Sequence, residues 1–187
     1  MHPLIALGAA AVILAILRRS AAASSDLPAD LAAGNPETPG GGRIADKRDP
    51  PAADLVSVDG VQVHRGAAAA LALMRAAWLA EGGDPRRLRV LSGYRSSARQ
   101  AALFARAVAQ YGSEAAARRW VAPPGSSAHQ SGRAIDLDID GGSLSSARAE
   151  TMRAAPAARW LATNAARWGF FPYAAEPWHW EWNPPRS

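Results

Sequence analysis

The 187-residue chain contains no cysteine, which excludes disulfide staples and thiolate metal centres. Any transition metal it holds must therefore sit on imidazole and carboxylate. Imidazole is itself scarce: His2, His64, His129 and His179 are the only histidines, and His2 lies in a terminal segment remote from any core. Lysine is nearly absent. Lys47 is the only one among 21 basic residues, so the formal charge of +5 is an arginine charge. That balance suits an anionic partner: nucleic acid, a membrane surface or an anionic wall polymer. The arginines are scattered along helical segments, without a basic arm or interleaved aromatics, and this argues against nucleic acid. The length allows one ordinary domain with a core, and is too short for two.

A long apolar run is also missing. Residues 3–17 are apolar and are followed by Arg18 and Arg19. A helix of that length, at about 1.5 Å per residue, falls short of the roughly 30 Å hydrocarbon layer. A secretory signal carries its positive charge before the apolar run, and here the arginines come after it. By the positive-inside rule this order would leave the rest of the chain in the cytoplasm. Residues 1–19 are read as a hydrophobic membrane segment that tethers the protein. Residues 20–53, rich in Ala, Gly, Pro, Ser and Asp and without helical or strand period, are read as a flexible linker. The folded domain is then residues 54–187.

Within it, "LVSVDGVQVH" alternates across Asp59-Gly60 and predicts a β-hairpin. Leu71, Met74 and Trp78 recur at helical spacing, with Gly82 and Gly83 as the stop. "RLRVLSGY" reads as a strand. Ser97 with Gln100 three residues on forms a capping-box pattern, opening a helix to about Tyr111 and Gly112. A further helix is predicted over residues 156–168, and "EPWHWEW" is a strand entered through Pro177. Helices and strands mix without regular alternation, which predicts an α+β domain with a small, mostly antiparallel sheet flanked by helices.

Two segments carry chemistry. In "PPGSSAHQSGRAIDLDID", Pro123, Pro124 and Gly125 place His129 on a loop. Strand parity then puts Asp136, Asp138 and Asp140 on the face opposite Ile135, Leu137 and Ile139. Such a face is either solvated or organised around a cation, since three carboxylates are costly to bury together. In "AAEPWHWEW", Trp178, Trp180 and Trp182 share one strand face and His179 and Glu181 the other, with Glu176 at the entry. The tryptophans suit a core. His179 alone would suit a hydrogen-bonded core histidine, but two histidines and an aspartate form a set that leaves tetrahedral zinc one open position.

"SAHQSGRAID" resembles the S-x-H-x-x-G-x-A-x-D signature of the D-alanyl-D-alanine carboxypeptidase family typified by VanY. "EPWH" is similar to its C-terminal E-x-x-H, and "SGYRSSARQ" to its upstream S-G-Y-R-S segment followed by Gln. The resemblance spans about residues 54–182. It implies a zinc peptidase of peptidoglycan stem peptides, with the ion at the sheet on His129, Asp136 and His179. It implies Glu176 as general base and Arg95 facing the scissile carbonyl or a substrate carboxylate. Parity alone leaves Asp138 and Glu181 as candidates for ligand and base; the family spacing selects Asp136 and Glu176. Ser127 matches the signature serine, a substrate contact. Gln100 is either a substrate contact or a helix cap, and Tyr94 lines the pocket or packs. His64 has no counterpart and is read as structural or exposed.

The activity implied is D,D-carboxypeptidase. The alternatives are a phage-type endolysin cutting the L-Ala-D-Glu bond, and a non-catalytic zinc-binding wall-recognition module. Retention of Glu176 and Arg95 argues against the module. A basic membrane-tethered adaptor with structural histidines is the reading without metal. The expectation is a monomer in the cell envelope, tethered by its N-terminal segment, with the catalytic domain facing the periplasm or wall.

Overall fold

In the computed structural model, which describes residues 44–184, the Asp59-Gly60 pair turns β1 (Leu55–Val58) back antiparallel onto β2 (Val61–His64). Both turn residues have positive φ, 53° and 83°, the geometry whose twist matches paired strands. Helix α1 (Arg65–Ala80) follows at once and buries Ala67, Leu71, Met74, Ala77 and Trp78, the stripe expected from its period. His64 accepts the Gly66 N–H at its Nδ1, and its ring stacks on Trp182. It is a structural residue.

Strand β3 (Val90–Ser92) leads to α2 (Ser97–Tyr111) and the short α3 (Glu114–Ala117). Helix α2 ends as expected on Gly112 in the left-handed region, but its N-cap is Ser96, whose side chain accepts from Arg99 N. The Ser97–Gln100 capping box does not form, because both side chains are used elsewhere. Ser97 Oγ donates to Asp49 and accepts from Gln130, and Gln100 is turned into the protein.

A 3-10 turn (Ala128–Ser131) precedes β4 (Ala134–Leu137). The strand is shorter than the acidic alternation suggests. Beyond it, Asp138 pairs with Arg87 at 2.8 Å and Asp140 with Arg148 at 2.6 Å, so these two carboxylates are neutralised one by one. Helices α4 (Ala149–Ala154) and α5 (Pro156–Asn164) come next. A 3-10 turn (Ala165–Trp168) then ends at Gly169, followed by β5 (Phe170–Tyr173) and β6 (Glu176–Trp182). The second sheet has the order β3-β4-β6-β5, antiparallel throughout. The chain is an α+β domain with small antiparallel sheets and flanking helices. Ile135, Leu137, Trp178 and Trp180 enter the core with Leu71, Met74, Leu161 and Phe170. The opposite faces of β4 and β6 are thereby left for polar residues.

One boundary shifts. Residues 44–53, which composition assigns to the linker, lie as a strap against the domain. Ile44 is buried with Ala128 and Ala134, Lys47 Nζ donates to Ser126 O, and Asp49 accepts from the N–H and hydroxyl of Ser97. The contacts are single residues without a period, so periodicity does not reveal them. Residues 1–19, expected from sequence to be a membrane segment, and residues 20–43 of the expected linker lie outside the described residues. Among the described residues, no helix is long and apolar enough to cross a membrane.

Candidate metal centre

The register of β4 against β6 sets Asp136 directly opposite His179. Asp136 Oδ1 lies 3.1 Å from His179 Nδ1 and 3.4 Å from His129 Nε2, and all three side chains are buried. One ligand atom from each falls within 4.8 Å of the other two. His129 comes from the 3-10 turn, and its position is tied to the end of β3 twice. Its Nδ1 lies 2.8 Å from Gly93 O, and Arg95 N donates to its carbonyl at 3.1 Å. Gly93 has no room for a side chain: a Cβ there would stand 2.4 Å from Gln62 O on β2. The glycine of the "SGYR" segment thus lets β3 approach the hairpin closely while presenting its own carbonyl to His129.

Each imidazole has its outer nitrogen engaged and its inner nitrogen turned to Asp136. For His129 the outer partner is Gly93 O, and for His179 it is Glu181 Oε1, 3.3 Å from Nε2. This is the arrangement a His2-carboxylate site requires: outer N–H groups donate, and the inner lone pairs face the cation. Burial disfavours charge on His179, but the carboxylates of Asp136 and Glu181 outweigh it and push its pKa up to about 9. Burial likewise opposes ionisation of Asp136, yet the two imidazoles hold it well below the usual carboxylate range. The cluster attracts positive charge, whether proton or metal. Its donor set, two imidazoles and one carboxylate without a thiolate, fits zinc in an open coordination shell.

Glu176, half-exposed at the start of β6, has Oε2 3.9 Å from His179 Nδ1, the nitrogen that faces Asp136. Arg95 is largely buried. Burial opposes its charge, and the carboxylates of Asp136 and Glu176 favour it. Its Nη1 donates to Gln100 Oε1 at 3.0 Å, and Gln100 Nε2 donates to Ala122 O at 2.6 Å. Gln100 therefore clamps the arginine. Ser127 is buried at the start of the 3-10 turn that carries His129, and its hydroxyl has no hydrogen-bond partner among the described residues. Tyr94 reaches Asp49 on the strap; burial and that carboxylate push its hydroxyl pKa up.

At this site the sequence leaves one residue, Tyr173, unmarked and gives another, Glu181, only as a candidate base. Tyr173, on β5, stands edge-on to His179 with ring centroids 5.7 Å apart. Glu181 is 3% exposed and is the outer partner of His179. Strand parity had placed Glu181 on the His179 face, and that was its only signal. For Tyr173 the signal was the short "AA" connection that folds "FFPY" back onto "EPWHW".

The sequence model of the family VanY, D-alanyl-D-alanine carboxypeptidase, matches residues 60–185. A D-alanyl-D-alanine carboxypeptidase of Enterococcus faecalis is 34% identical over 112 residues, which are 50% of this chain and 39% of that protein. The chain thus spans well under half the length of this curated relative. The solved structure of the LdcB LD-carboxypeptidase superposes with a TM-score of 0.61 at 30% identity, covering 72% of this chain and 69% of that one. VanYB in complex with D-alanine-D-alanine superposes with a TM-score of 0.51 at 29% identity, covering 68% and 76%.

Proposed function

This chain belongs to the VanY family of D-alanyl-D-alanine carboxypeptidases, and from that premise we propose that it is a zinc-dependent peptidase of peptidoglycan stem peptides, acting in the cell envelope. The observation that carries the reading is the convergence of His129, Asp136 and His179, with the Glu176 carboxylate 3.9 Å from the inner nitrogen of His179.

His129 Nε2, Asp136 Oδ1 and His179 Nδ1 would hold the ion. When bound, zinc would polarise the scissile carbonyl and make water acidic enough to ionise near neutral pH. The other steps fall to the protein. Glu176 takes the proton from the attacking water and returns it to the leaving amine, with its partial exposure leaving room for both partners. Arg95, held by Gln100, presents a fixed guanidinium to the oxyanion or to the substrate's terminal carboxylate. Ser127 has a hydroxyl free to meet the peptide.

D,D-carboxypeptidase is the activity proposed. A specific observation favours L,D cleavage as a second reading: the LdcB LD-carboxypeptidase superposes better than VanYB, with TM-scores of 0.61 and 0.51. Incubation with stem peptides ending in D-Ala-D-Ala, with those ending in a single D-Ala, and with whole peptidoglycan separates these from an endolysin cut by the fragment released. Glu176→Ala should retain zinc and lose hydrolysis by roughly 100- to 10,000-fold. Loss of zinc in that variant would make Glu176 a ligand, and full activity would remove it as the base.

A further inference from the structure

A carboxylate is costly to bury without partners, and Glu181 is 3% exposed. No arginine or lysine pairs with it among the described residues. One oxygen, Oε1, stands 3.3 Å from His179 Nε2, and the other, Oε2, accepts the Ile44 N–H at 3.3 Å. The side chain thus bridges the strap to the outer edge of an imidazole whose inner edge faces Asp136. An imidazole that donates from Nε2 has its lone pair on Nδ1, and Nδ1 is the atom 3.1 Å from Asp136 Oδ1. The two histidines are held unequally. His129 has a backbone carbonyl, Gly93 O, behind it, and His179 has the side chain of an acid, Glu181.

We propose that Glu181 is a positioning residue of the metal centre, which sets the tautomer and basicity of His179 and is itself held by the backbone of the strap at Ile44. The inference rests on the zinc reading above. A carboxylate behind a ligating imidazole locks its orientation and strengthens it as a donor, and losing such a partner typically weakens metal affinity about 10- to 100-fold. A merely structural Glu181 would tie down the strap and leave affinity for the ion unchanged. In Glu181→Gln the side chain keeps its volume and one acceptor, loses its charge, and accepts from only one of its two N–H neighbours.

The test is zinc affinity of the full chain by competition with a chelator, with melting of the metal-free protein measured alongside. Wild type should bind about one zinc. Glu181→Ala should bind it about 10- to 100-fold more weakly, and Glu181→Gln should be weakened by a smaller factor. Asp138→Asn should match wild type, since the Asp138 carboxylate answers to Arg87 and to no histidine. Should Glu181→Ala fail to fold, the near-isosteric Gln variant decides. Wild-type affinity in both Glu181 variants, even with lowered melting, overturns the positioning role alone. A wild-type chain that takes up no zinc overturns the metal reading and this inference with it.

Discussion

Asp136 does two jobs with one side chain: its Oδ1 meets both inner imidazole nitrogens, and its backbone holds the middle of a sheet. Neighbouring residues of the same type have other fates, as Asp138 and Asp140 each end on an arginine. The histidines divide in the same way. His129→Ala should abolish tight zinc binding, because two remaining ligands hold the ion poorly and the buried Gly93 carbonyl loses its donor. His64→Ala should leave zinc content unchanged and cost about 1 kcal/mol through the lost contact at the start of α1. Metal analysis and thermal melting of the two variants check both outcomes. Equal zinc loss in both would show that the cluster is not the site.

At the scale of elements, the site is where the tail of β3, the strand β4 and the middle of β6 meet one 3-10 turn. What fixes the turn is the tail of β3, through Gly93 O and Arg95 N. Gly93→Ala should therefore act at a distance. A methyl group 2.4 Å from Gln62 O forces β3 away from the hairpin, at a cost of about 1–3 kcal/mol, and draws the His129 partner with it. The expected result is a lower melting temperature together with weaker zinc binding. If stability falls while zinc affinity stays at the wild-type value, the carbonyl of Gly93 does not position His129.

At the scale of the molecule, the strap closes the polar side of the sheet. Ile44 is 1% exposed, its N–H reaches Glu181, and Asp49 accepts the Ser97 N–H at the N-terminus of α2, where a carboxylate also suits the helix dipole. A chain beginning at Asp54 loses all of this. Burial of an isoleucine side chain alone contributes about 1.5–3 kcal/mol. Urea unfolding should give a clearly lower midpoint for that chain than for one beginning at residue 40. Equal midpoints would make the strap a passenger.

Local order was legible from the residues. The Asp59-Gly60 turn, the Leu71, Met74 and Trp78 stripe and the tryptophan face of β6 all follow from short spacings, whereas His129, Asp136 and His179 are named by the family resemblance and brought together by the register of β4 against β6. A period or motif is written within a few consecutive positions, and backbone geometry translates it directly into a face or a turn. Tertiary structure decided the rest. Ser96 and not Ser97 caps α2, because Asp49, 48 residues away, claims Ser97. Gln100 holds Arg95 because Ala122 offers its carbonyl on the far side. Glu181 faces Ile44 across 137 residues of chain. No periodicity links such positions, and only packing of the folded chain brings them within hydrogen-bond reach.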